Sequence, residues 1–445
     1  MKSILSAPSQ ELKDKITLWL NHLLVLYTFL IPIHNGAKSS MFFVMLALFL
    51  YRRDYWFYLK DAFSNKVVQA FLLFYFINAF GMLYTDNIAY GKAHMDKAKY
   101  LLFPLMFLSF FDKRFAWRVV TAFILGMLVA EIFSYLIHFG IFPLEFSIGK
   151  YEIWETKVYS PAPFQHHGAH SVGLALVVAI LLYELLNKKH ISLGIKIFSL
   201  AFMTTASLNM SFIASRTGYV LYIFILFIVV LLTFRKKLFK ILAITIILLS
   251  IISTLAYNYS NTVNSRVNQT VSSIENILKD DNYNSSLGLR IGFTKYAIEI
   301  IEDNLFFGVG TGDHMDTVRA IIPEKHNYIA DKKLLHKPHN VYIQILLQTG
   351  LLGGISFLYL IYTILFYKYT TKHKKEIMII ITLSTLVFML PGMFFGTFTL
   401  PLFVVFISAM IANKEQNIKY HDMNESLLIK YFIFVILFLI IGITR

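Results

Sequence analysis

The sequence predicts an all-α polytopic membrane protein with about twelve membrane helices, a thirteenth shorter candidate, and one large extracytoplasmic loop containing amphipathic helices. Three observations predict it. Of 445 residues, 57% are hydrophobic and only 15% are charged, against about 25% charged in soluble domains. Long apolar runs recur from end to end, and they are continuous rather than alternating, which disfavours a β-barrel. Short basic clusters stand in alternate connections between the runs, as topology signals do. The formal charge of +15 therefore reads as orientation in a membrane, not as nucleic-acid binding. No cysteine is present, which excludes a disulfide framework and thiolate chemistry.

The first apolar run follows "ELKDK" and has no small-residue cleavage site after it, so it reads as a retained helix over 17–33. Further membrane helices are expected over 40–51, 67–84, 98–111, 117–139, 168–187, 193–213, 217–234, 238–257, 340–366, 377–394 and 398–412. The shorter candidate covers 428–443 and contains Lys430. Arg52 and Arg53, Lys113 and Arg114, Lys188 and Lys189, Arg235 to Lys237, and Lys372 to Lys375 mark one face. By the positive-inside rule that face is cytoplasmic, together with Lys13 and Lys15 near the amino terminus. The connections 34–39, 85–97, 140–167, 214–216, 258–339 and 395–397 then lie outside. One integral membrane domain results: amino-terminal helices over 1–257, a periplasmic loop over 258–339, and carboxyl-terminal helices over 340–445.

Loops as long as 258–339 are usually functional or disordered. Within it, "SSLGLRIGFTKYAIEIIEDN" predicts an amphipathic helix, with Leu289, Phe293, Ala297 and Ile301 on one stripe and Ile300 at its border. Asn304 and "GVGTG" terminate it.

Ionisable groups at membrane depth are costly and become functional candidates. Arg216, in "ASRTGYV", is the basic residue of a very short outer connection, where arginine is normally scarce. Its functional reading is anion binding; its plain reading is a helix-end side chain snorkelling to headgroups. Arg290 opens the loop helix and reads either as a solvated charge or as a second phosphate-gripping guanidinium. In "HKPHNVYIQILLQTGLLGG", His339 suits a general base near neutral pH, and Asn340 could orient the imidazole or an acceptor. His336 and His339 also have metal-ligand spacing, but Pro338 interrupts it and no acidic third ligand follows in register. "FQHHGAH" places His166, His167 and His170 at the same face, where a structural or acceptor-lining role is expected. "GVGTG" lacks the lysine and the strand–helix context of a phosphate loop, and turn chemistry explains it. Neither a Walker motif nor an acidic metal-binding pair is found, which fits a donor energised elsewhere, or transport.

"RIGFTKYAIEIIEDNLFFGVGTGD" followed by "HNVYIQILLQTGLLGG" resembles the O-antigen ligase and polymerase superfamily. The shared features are an Arg before an amphipathic loop helix, an Asn-Pro-Leu-Phe-Gly-x-Gly-like turn, then His-Asn and a membrane helix ending near Thr-Gly-x-x-Gly. Leu305 stands at the usual proline-leucine step. The resemblance implies a glycosyltransferase without metal or cofactor. It would take glycan from an undecaprenyl-diphosphate carrier and transfer it to a lipid A–core acceptor at the periplasmic face of a bacterial inner membrane. It also implies that Arg216 and Arg290 hold the donor diphosphate and act with His339 in catalysis; Asn340, His336 and His167 are expected as accessory residues from their own chemistry at the same face. Relatives polymerise lipid-linked glycans or glycosylate protein hydroxyls. From outside the superfamily, a polysaccharide transporter is the competing class, although polar groups gathered at one face suit surface chemistry better than a midplane site. A receptor or structural role would leave the arginines and histidines without a joint purpose.

Overall fold

In lipid a backbone N–H can find its acceptor only within its own helix or in a closed barrel, so apolar runs of this composition fold as helices. A computed structural model describes residues 8–148, 151–331, 337–392 and 394–416, and 75% of it is helical. In chain order the α-helices are α1 (Gln10–Leu30), α2 (Asn35–Tyr51), α3 (Tyr55–Phe63), α4 (Lys66–Phe80), α5 (Ile88–Ala98), α6 (Phe103–Phe110) and α7 (Ala116–His138). A two-stranded antiparallel hairpin follows, β1 (Glu145–Ile148) against β2 (Tyr151–Glu155), with Glu145 opposite Glu155. Then come α8 (His167–Asn187), α9 (Leu193–Phe212), α10 (Arg216–Thr233), α11 (Leu238–Tyr259), α12 (Asn261–Asp280), α13 (Gly288–Asp303) and α14 (His314–Ala320). The last helices among the described residues are α15 (Val341–Leu365), α16 (Lys372–Met389) and α17 (Thr399–Ile411).

Each of the twelve expected segments up to 398–412 is occupied by helix, and length and apolarity alone qualify only part of them as spans. Among the described residues six helices are long and apolar enough to cross a membrane, or seven if α3 and α4, bent by 91°, form one span. The sequence shows why the others fall short. Lys13, Asp14 and Lys15 occupy the first turns of α1, and Lys372, Lys374, Lys375 and Glu376 those of α16. The run over 98–111 breaks into a 3-10 turn and the eight-residue α6 around Pro104. At 1.5 Å per residue, α2 with 17 residues and α17 with 13 are shorter than a hydrocarbon core of about 30 Å. The candidate 428–443 lies outside the described residues.

Helix α17 is the centre of the bundle, with every residue from Thr399 to Ile411 buried. Inside a bilayer, close packing of such a helix stabilises more than exclusion from water does. Outward-facing apolar side chains, such as Phe76 on α4 and Ile247 and Ile251 on α11, remain exposed, as a lipid-facing surface requires.

The basic connections meet at one end of the bundle through ion pairs distant in sequence. Lys13 reaches Asp54 at 3.5 Å, Lys113 reaches Glu415 at 2.9 Å, Arg235 reaches Glu376 at 2.9 Å, and Lys414 reaches Asp61 at 2.5 Å. At the opposite end, α13 forms where its stripe predicts, burying Leu289, Phe293, Ala297, Ile300 and Ile301.

The loop after α13 is locked to a break in α15. Gly350 has φ 59° and ψ −153° inside that helix, and Gly308 has φ 69°. Val309 N donates to Leu347 O at 2.8 Å, and Leu351 N donates to Leu305 O at 2.8 Å. A Cβ on Gly350 would stand 2.4 Å from the Phe306 carbonyl carbon, and one on Gly308 would stand 2.4 Å from Leu347 O. Thr311 Oγ1 then donates to Asn78 O at 2.7 Å, fastening the same loop to α4. "GVGTG" is thus a backbone lock between loop and membrane helices.

Candidate functional site

Most of the connections expected to lie outside converge on one cavity of about 580 Å³. Segment 34–39 supplies Asn35, 140–167 supplies Glu152, Glu155 and His166, and 214–216 supplies Arg216; the large loop adds Arg266, Arg290 and His339, and 395–397 adds Thr397. Segment 85–97 contributes nothing to the lining.

Arg216 is the first residue of α10, immediately after the helix cap, where Ser215 Oγ accepts from Gly218 N at 3.1 Å. Its Nη2 donates to Gln269 Oε1 at 3.3 Å, while its buried Nε finds no hydrogen-bond partner among the described residues. Arg266, one turn into α12, donates from Nη1 to the same Gln269 oxygen at 3.0 Å. Arg290 lies in the first turn of α13, where burial and then the Arg216 guanidinium push its pKa below the ordinary arginine value. Among the described residues none of the three forms an ion pair with a carboxylate. Two guanidiniums held by one neutral amide, with Arg290 lining the same cavity, repel one another, and an anion carrying more than one charge would relieve that.

His339 enters the cavity from the connection between the large loop and α15. Pro338 before it is buried, and His339 adopts φ 54°, a left-handed conformation uncommon for a residue with a Cβ. Asn340 then caps α15: its Oδ1 accepts from Tyr342 N at 3.1 Å and from Ile343 N at 3.3 Å. That carbonyl oxygen serves the helix, and Asn340 is not among the residues lining the cavity.

Of the "FQHHGAH" histidines, His166 caps α8 by accepting from Gly168 N at 3.3 Å, and its ring lies 3.8 Å from that of His167. Both line the cavity. Burial, then Arg290 and Lys337, push the His166 pKa below the usual histidine value. His170 is buried one turn deeper, its Nε2 3.3 Å from Asn209 Oδ1, and it holds helices together instead of lining the site. His336 lies outside the described residues. Among the described residues, no group of three or more His, Asp or Glu comes together as a metal-holding set.

The structure thus brings Arg216, Arg290, His339 and His167 to one cavity, and adds Arg266 and Gln269 as residues the sequence reading did not single out. A signal for them existed. Val263, Val267, Val271, Ile274 and Leu278 recur at helical spacing, which places Arg266 and Gln269 on an amphipathic helix. The hairpin carrying Glu152 and Glu155 was also legible as Phe146 and Ile148, then Tyr151 and Ile153, alternating on either side of Gly149 and Lys150.

Residues 200–358 match the family model for O-antigen ligase. The matched segment runs from within α9 into α15 and contains Arg216, Arg266, Arg290 and His339. It supports the O-antigen ligase superfamily, and with it a ligase- or polymerase-type glycosyltransferase function in a multi-pass membrane protein. No curated protein matches the chain.

Proposed function

We propose that this chain transfers O-antigen polysaccharide from undecaprenyl diphosphate to a lipid A–core sugar, at the periplasmic face of the inner membrane. The observation that carries the reading is the joint lining of one cavity by His339 and three arginines without carboxylate partners among the described residues. In this reading the broken and charged-ended helices α1, α2, α6, α16 and α17 complete the membrane passes, and 258–339 is periplasmic.

The chemistry needs no nucleotide, because a lipid diphosphate is already a good leaving group. Arg216, Arg266 and Arg290 stabilise the charge that collects on the departing diphosphate as the anomeric C–O bond breaks. His339, neutral, removes the proton of the acceptor hydroxyl as that oxygen bonds to the anomeric carbon. Attack from the face opposite the diphosphate inverts the anomeric centre. The donor's polyprenyl tail remains among the membrane helices, which is why the arginines sit at the starts of helices rather than at mid-membrane. In this reading His167, which lines the same cavity, contacts the acceptor sugar, and the transfer needs no metal.

A lipopolysaccharide gel of a strain lacking the gene, complemented with wild type or His339→Ala, tests the function. Ligation predicts core without O-antigen, accumulation of carrier-linked polymer, and no rescue by the variant. Core carrying a single repeat unit would assign the chain to polymerisation instead, and an unchanged ladder would reject both.

A further inference from the structure

We infer that the groove between α7 and α8 at the basic end of the bundle is a binding site for an anionic phospholipid. The groove encloses about 550 Å³, is separate from the arginine-lined cavity, and shares no residue with it. Its walls follow from helix periodicity. Trp117, Val120 and Ile124 fall on one face of α7, and Ile180 and Glu184 on one face of α8.

Polarity changes along the groove as it does along a lipid. Trp117 is the second residue of α7 and 37% exposed, the position of an interfacial tryptophan. Ile124 lies two turns further in, about 10 Å deeper at 1.5 Å per residue. The other wall runs the same way, from Lys188 and Lys189, just past the end of α8, to the buried Ile180. The outer rim is therefore cationic and the floor aliphatic. That pattern matches a phosphate headgroup with an acyl chain beneath it.

Three features make the rim specific for negative charge. Lys188 and Lys189 have no carboxylate partner among the described residues. The acid in the lining, Glu184, is already engaged by His373 Nε2 at 2.6 Å. Helix α16 starts at the same rim, with Thr371 Oγ1 capping it by accepting from Lys374 N at 3.2 Å, so its positive end faces the same opening. A zwitterionic lipid would satisfy the aliphatic floor equally well but would leave the two lysines uncompensated.

The test uses the full chain purified in neutral detergent, with binding of dioleoyl phosphatidylglycerol and dioleoyl phosphatidylcholine measured by native mass spectrometry. Wild type is expected to prefer phosphatidylglycerol. In Lys188→Gln/Lys189→Gln that preference falls about thirtyfold, roughly a factor of five per lysine, while Lys188→Arg/Lys189→Arg retains it. Lys237→Gln/Lys240→Gln, exposed basic residues outside the groove, leaves the preference unchanged. Equal binding of the two lipids by wild type overturns the inference. So does an equal loss in the Lys237/Lys240 variant, which would mean diffuse surface attraction instead of a site.

Discussion

Arg216 and Arg266, fifty residues apart in sequence, donate to the same oxygen, Gln269 Oε1, at 3.3 and 3.0 Å. One neutral amide thereby fixes two cations from different elements, the start of α10 and the flank of α12, on one side of a cavity that Arg290 also lines. In the proposed reaction this spacing sets the diphosphate pocket before the donor arrives.

Arg266 is expected to act mainly in donor binding. Arg266→Gln should raise the donor KM about tenfold to a hundredfold, the range of one lost charge-assisted bond, with a smaller change in kcat. Steady-state transfer with a purified lipid-diphosphate glycan, checked against an unchanged circular dichroism spectrum, measures it. An unaltered KM would remove Arg266 from the pocket.

Asn340 is expected to matter through its cap. Asn340→Asp keeps an oxygen acceptor for Tyr342 N and Ile343 N and should retain most transfer. Asn340→Ala should lower stability by about 1 kcal/mol, seen as a lower thermal midpoint in detergent, and should loosen His339 next to it. If the Asp variant were inactive although stably folded, the amide nitrogen would have a direct role that capping does not explain.

Gly350→Ala tests the lock between the loop and α15. Its backbone angles suit glycine alone, and the added methyl would overlap Phe306. A destabilisation of roughly 3 kcal/mol or more is expected, read as a fall in thermal midpoint or in folded yield. A variant with wild-type stability would mean that the break in α15 can relax.

Lys337, beside the His339 segment, gives a pH dependence of stability. Burial, then Lys97, lowers its pKa from 10.5 to about 8. The folded state therefore sheds this proton before the unfolded chain does, and the penalty for charging Lys337 is full below pH 8. The penalty fades as pH rises from about 8 to 10.5, so folding gains stability across that window. Thermal midpoints of wild type and Lys337→Met should differ most below pH 8 and converge towards pH 10.5. A constant difference across the window would contradict the assignment.

The helices were legible wherever a local period writes them. The stripe Leu289, Phe293, Ala297 and Ile301 predicts α13 because its apolar residues recur at helical spacing, and all four are buried. The breaks within the expected runs were less legible: the run over 98–111 divides near Pro104, and α16 opens on the charges Lys372 to Glu376 before its apolar part. The sequence also singled out His339, Arg216 and Arg290, since each is an ionisable group beside apolar chain. Arg266 escaped because in sequence it is one polar residue among many on an amphipathic helix. Only the tertiary fold carries it to Arg216. Asn340 shows the converse: its place beside His339 suggests chemistry, while its hydrogen bonds are those of a helix cap.

The most direct test of the central claim is transfer in vitro by purified His339→Ala, using an undecaprenyl-diphosphate-linked glycan and lipid A–core, with donor binding measured in parallel. Removing the general base predicts a rate loss of roughly 10²- to 10⁴-fold with donor affinity nearly unchanged, because the three arginines remain in place. Transfer at the wild-type rate by a correctly folded His339→Ala protein would contradict the account.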